Sequence, residues 1–162
     1  MSNESVELAR IEDYLRQDFE ATVEDRVKRC EQVKPHGIIP DHHFAAVSAE
    51  IGRLYSDGHY YGCISLCQSV AEAMARFLCE RNGWRAAKVF EKNLETLQKR
   101  VKITAKMGKQ LLTVWEARDD YHHLNPTIER DRTKLHVMAE QKTKVLSEVK
   151  SSVSDLGHSP FA

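Results

Sequence analysis

Apolar positions recur along this chain at three- and four-residue intervals, the spacing that stacks side chains on one face of an α-helix. The clearest run is Tyr60, Cys63, Ile64, Cys67, Val70, Ala71, Met74, Phe77 and Leu78, and Asn82-Gly83 follows it as a stop. Glycine suits that place because it accepts the left-handed conformation common at helix ends. Upstream, Val6, Ala9, Ile11, Tyr14, Leu15, Phe19, Val23 and Val27 mark a looser stripe over residues 3–32, ended by Lys34, Pro35, His36 and Gly37. Asp41, after Pro40, is a candidate N-cap for a second helix through Phe44, Val47, Ile51 and Leu54, which stops near Asp57-Gly58. A fourth helix carries Val89, Phe90, Leu94 and Leu97. A fifth carries Met107, Leu111, Val114 and Trp115; with Pro126 restricting Asn125, it is expected to end near His123 or Leu124. A sixth, over residues 129–151, turns Leu135, Met138, Val145, Leu146 and Val149 inward. No alternating strand pattern of useful length occurs. The expected fold class is therefore all-α, an antiparallel up-and-down helical bundle whose first helix packs across it or onto a second subunit.

Composition narrows the picture. A chain of 162 residues is the size of one domain. Within it, residues 1–36 form an N-terminal helical extension, residues 41–150 the bundle and residues 154–162 a polar, frayed tail. Cys30, Cys63, Cys67 and Cys79 include no Cys-x-x-Cys pair and fall mostly in apolar helix, so they read as reduced core thiols. The first ten residues are acidic where a signal peptide needs positive charge, and no stretch approaches the roughly 18 apolar residues that span a bilayer. These features point to the cytoplasm and to no membrane partner. With 24 basic residues against 24 acidic ones, nucleic-acid binding has to come from a local patch.

Several segments are candidates for chemistry. His42-His43 could ligate metal, but adjacent side chains on a helix point about 100° apart, so a solvated helix start is the better reading and no metal or other cofactor is expected. Cys63 and Cys67 lack further ligands nearby and read as core fillers. Glu72, mid-helix, either faces water or pairs with an inward Arg. Residues 88–109 hold seven basic side chains against two acidic ones, an excess of five, and Lys99, Arg100 and Lys102 at their centre are candidate contacts to an RNA backbone. The competing reading is a solvated lysine face.

The segment Arg118, Asp119, Asp120, Tyr121, His122, His123, Leu124, Asn125, Pro126 stands apart. Arg118 lies seven residues after Leu111, on the apolar stripe of an unbroken helix, where it needs an acid, a partner subunit or a ligand anion. Two imidazoles follow at the helix end, the side chains best matched to proton transfer near neutral pH. Arginine and histidine together suit attack by a ribose 2′-OH on its own phosphodiester, giving a 2′,3′-cyclic phosphate and a 5′-OH end.

At these residues the chain resembles the HEPN superfamily, helical bundles whose signature is Arg, four to six residues, then His, with a polar residue after the Arg. Arg118, Asp119 and His123 match that pattern, and Tyr60-Tyr61-Gly62 leading into the Glu72 helix looks like the helix that precedes the motif helix. Asn125 stands where the best-known toxin pattern has Tyr, and Asp119 where Asn is frequent. The resemblance implies a homodimer with a composite site acting as a metal-independent endoribonuclease, of the kind found in toxin–antitoxin or defence systems with an antitoxin partner. Alternatively, it implies a non-catalytic module that binds a nucleotide or a protein. Asp119 would then orient the Arg or the His, with His122 and Asn125 as secondary contacts. Motif spacing selects His123, whereas a straight helix puts His122 on the face of Arg118; a helix that loosens before Pro126 would reconcile the two.

Overall fold

A computed structural model describes residues 3–33 and 45–157. Asp41, His42 and His43, and the Pro35-Gly37 stop, lie outside the described residues. Among those described, the chain is helical with no strand: α1 (Asn3–Gln32), α2 (Ala45–Ser56), α3 (Tyr60–Arg81), α4 (Phe90–Lys99), α5 (Ala105–Trp115), α6 (Arg118–His123) and α7 (Arg132–Gly157). The all-α expectation holds. No helix among the described residues is long and apolar enough to cross a membrane.

The third helix is central because it is apolar on most sides. Cys63, Ile64, Cys67, Ala71, Met74 and Ala75 are wholly buried, with α2, α4, α5 and α7 packed around them. Cys63, Cys67 and Cys79 are free and buried as core thiols, and the Thr143 hydroxyl sits 3.3 Å and 3.6 Å from the Cys63 and Cys67 sulfurs. Turns close where expected: Gly58 and Gly83 both have positive φ, and each is followed by an N–H that reaches back five residues, from His59 to Leu54 O and from Trp84 to Cys79 O.

Three helix boundaries differ from expectation. The last helix begins at Arg132 rather than near residue 129, because the Asp131 carboxylate caps it by accepting the Thr133 and Lys134 N–H groups. It also continues to Gly157, so residues 154–157 are helical rather than frayed, and residues 158–162 lie outside the described residues. The fifth helix stops at Trp115, well short of His123. Val89, read as part of the fourth helix, stands at its N-cap position and is exposed.

The first helix is the largest departure from a closed bundle. Its last turns dock on α2: Arg26 pairs with Asp57 at 2.9 Å, Arg29 Nε donates to Ser56 O, and Gln32 Oε1 accepts from the buried Tyr55 hydroxyl. Residues 4–21 are exposed throughout, and Val6, Leu8, Ile11, Tyr14, Leu15 and Phe19 are each 44% to 67% exposed.

Candidate functional site

The break between α5 and α6 creates the site. Nothing local demands it, since Glu116 and Ala117 are ordinary helix residues; Ala117 nevertheless takes the left-handed conformation at φ 58°. The cause is tertiary. Lys142, buried on α7, directs its ammonium at the end of α5 and donates to the carbonyls of Thr113, Val114 and Glu116 at 2.9 to 3.0 Å. Gln68, buried on α3, donates to the same Glu116 carbonyl. A cation at a helix C-terminus satisfies carbonyls that would otherwise be orphaned and complements the helix dipole. Burial lowers the Lys142 pKa, an effect that Glu116 opposes.

With α5 ended in this way, α6 sets off in a new direction. Arg118 is therefore not on the stripe of Leu111, as an unbroken helix would have it. Its guanidinium lies 5.1 Å over the Trp115 ring, which stacks on buried Phe90 at 4.3 Å. One terminal nitrogen donates to Asp119 at 3.2 Å, while Nε is buried with no hydrogen-bond partner. Around it opens a cleft of about 490 Å³, lined by Lys88 to Glu91 at the start of α4, Trp115 to Asp120, and Glu72 from α3.

His122, one turn beyond Arg118, is exposed as a residue, yet crowding around its ring depresses its pKa below 6.5. The Arg118 guanidinium pushes in the same direction, and the Ser65 carbonyl and the Glu72 carboxylate push back. His123 is exposed on a different face of α6. The expected loosening of the helix does not occur: α6 stays helical through His123 and ends at Leu124, whose φ is 51°. Asn125 braces that end, its amide 3.4 Å from both Asp119 O and Asp120 Oδ1, and Thr127 donates to Asp120 at 2.6 Å. Among the expected site residues, then, Glu72, Arg118 and Asp119 line one cleft. His122 is near enough for the charges of Arg118 and Glu72 to act on its ring but is not part of the cleft lining, and Asn125 is a support.

No family model, no curated protein and no solved structure matches the chain.

Glu72 finds an Arg, but an exposed one on its own helix and not an inward one from another element. It pairs with Arg76 on its own helix at 2.7 Å and borders the cleft. The basic run divides in space. Lys88 borders the Arg118 cleft, whereas Lys99, Arg100 and Lys102 lie at the other end of α4, about 15 Å along a helix of ten residues. Arg100 stacks over Trp84 at 4.3 Å. Two residues that build the site, Gln68 and Lys142, carry no motif. Each was nonetheless visible as a polar interruption of an apolar stripe: Gln68 follows Ile64 by four residues, and Lys142 lies seven after Leu135 and four before Leu146. Among the described residues, no cluster of three or more His, Cys, Asp or Glu side chains could hold a metal ion.

Proposed function

We propose that the protein is a HEPN-like ribonuclease whose α6 cleft cuts RNA through the ribose 2′-OH. The observation that carries this reading is the pairing, on one short helix, of an arginine stacked on Trp115, whose Nε has no partner, with an imidazole one turn beyond it. Arg118, stacked on Trp115, receives a phosphate oxygen and stabilises the charge that grows as phosphorus becomes five-coordinate. His122 accepts the 2′-OH proton as that oxygen forms its bond to phosphorus. The bond from phosphorus to the 5′ oxygen breaks, and a second imidazole, supplied by the partner in a homodimer, returns a proton to that oxygen. The products are a 2′,3′-cyclic phosphate and a 5′-OH.

One observation favours a second reading, a non-catalytic module for a protein partner. The cleft is lined by five carboxylates, Glu72, Glu91, Glu116, Asp119 and Asp120, against Lys88 and Arg118. Two of the five are paired with cations, Glu72 with Arg76 and Asp119 with Arg118, which reduces the repulsion toward a phosphate without removing it. RNA cleavage with chelator present separates the readings. The ribonuclease reading expects cleavage to cyclic-phosphate ends, lowered about 100-fold by His122→Ala and at least as much by Arg118→Ala, with circular dichroism unchanged. His123→Ala should cost far less. Intact RNA after incubation with folded wild-type protein leaves the binding module standing instead.

A further inference from the structure

The face by which α1 docks on α2 does not stop where α2 stops. At 100° per residue, Arg26, Arg29 and Val33, which meet or adjoin α2, share a side of the helix with Leu8, Ile11, Leu15 and Phe19. Those four are 47% to 62% exposed. An isolated helical segment of this length is marginal in water, and its largest apolar side chains line one side, so the upstream stripe needs a cover. Its flanks are acidic. Residues 4–20 hold Glu4, Glu7, Glu12, Asp13, Asp18 and Glu20 against Arg10 and Arg16, six minus two, a net charge of −4. Two such segments would repel one another, which disfavours pairing of α1 with α1.

The molecule carries the complementary surface elsewhere. A cleft of about 650 Å³ lies between the α4–α5 connection and the end of α7, and Val101, Ile103 and Met107 line it. Val101 is 87% exposed, held outward by a left-handed conformation at φ 56°. Lys102 and Lys106 stand on its rim, with Lys99 and Lys109 exposed nearby. Among the described residues Glu148 is the carboxylate on the rim, and the Gln110 amide donates to it at 2.7 Å.

We infer that the N-terminal part of α1 docks in the basic cleft at residues 101–107 of a second copy of this chain. The leucines and Phe19 enter the cleft, and Glu4, Glu7 and Glu12 face the lysines at its rim. A chain of zero net charge that segregates −4 on one helix and an excess of five positive charges on residues 88–109 is built to match itself, and reciprocal docking uses both junctions of a two-fold dimer. The inference does not depend on the ribonuclease reading, since it concerns neither α6 nor RNA.

Sedimentation equilibrium of the full-length protein tests it. Wild type should dimerise with a dissociation constant near or below about 10 µM, weakening as salt rises. Leu15→Glu with Phe19→Glu should weaken dimerisation at least tenfold without loss of helical circular dichroism, because both positions are exposed in the protomer. Glu4→Lys with Glu12→Lys should weaken it, as should Lys102→Glu with Lys106→Glu, and the protein carrying all four charge reversals should dimerise again. A wild type that stays monomeric overturns the inference. So does a dimer indifferent to the α1 variants, or a four-fold reversal that fails to recover, since a different surface would then cover α1.

Discussion

The pKa of His122 answers to charged neighbours that can be substituted, which makes it open to measurement. Crowding and Arg118 lower it, and Glu72 raises it. In an NMR titration its midpoint should fall below 6.5; Arg118→Ala should raise it and Glu72→Gln should lower it further. A group with a depressed cationic pKa binds fewer protons in the folded protein than in the unfolded chain between the two values. Its contribution therefore favours folding above 6.5 and is lost as pH falls through the folded midpoint. An unshifted midpoint, indifferent to both substitutions, would separate the imidazole from the Arg118 cleft. Val101 is the other informative residue. It occupies the left-handed position at the end of α4, where its N–H reaches Gln98 O and the next N–H reaches Leu97 O, a place that ordinarily holds glycine. A β-branched residue there costs about 1–2 kcal/mol and, being exposed, recovers nothing from packing within the protomer. Val101→Gly is expected to raise monomer stability by about 1 kcal/mol in urea unfolding, after the entropic cost of glycine. A loss of stability would mean that this conformation costs less than steric reasoning holds.

Helices α3, α4 and α7 were legible in the sequence because each carries a stripe that one spacing rule detects, and the turns at Gly58 and Gly83 because glycine marks a left-handed position. The break between α5 and α6 was not. Its cause, the Lys142 ammonium, is 25 residues away from Ala117 in the chain, and spacing rules read only neighbours. For the same reason Arg118 was placed on the wrong stripe, and the helix was expected to loosen and swing His123 toward it, whereas α6 stays helical through His123 and leaves His122 one turn beyond Arg118. Lys142→Met keeps the bulk of the side chain and removes the ammonium from the Thr113, Val114 and Glu116 carbonyls, of which Glu116 retains its bond from Gln68. Destabilisation of about 3 kcal/mol is expected, with the lost desolvation cost of the charge offsetting part of it. Amide exchange should accelerate first in α6. Exchange that quickens equally in every helix would show that Lys142 supports the bundle at large and not the joint.

For the whole molecule, the arrangement is a packed bundle of α2 to α7 with one helix carried past its edge. The periodicity of α1 was plain in the sequence, but a stripe does not say what covers it: of the two places expected for this helix, across the bundle or on a second subunit, the exposure of residues 4–21 excludes the first for that segment. Removal of the first 21 residues should therefore leave the melting temperature of dilute, monomeric protein within about 2–4 °C of its full-length value, the shift that goes with about 1 kcal/mol in a domain of this size. A larger drop, followed by calorimetry, would reveal that this segment touches the bundle. The separation of charge along the chain also bears on how the protein behaves in a tube. Molecules with no net charge do not repel one another at a distance, and patches of opposite sign draw neighbours into contact. Near pH 7 the protein should turn cloudy on dialysis against water and clear when salt is restored, a salting-in response, so that ionic strength matters more than pH for keeping it in solution.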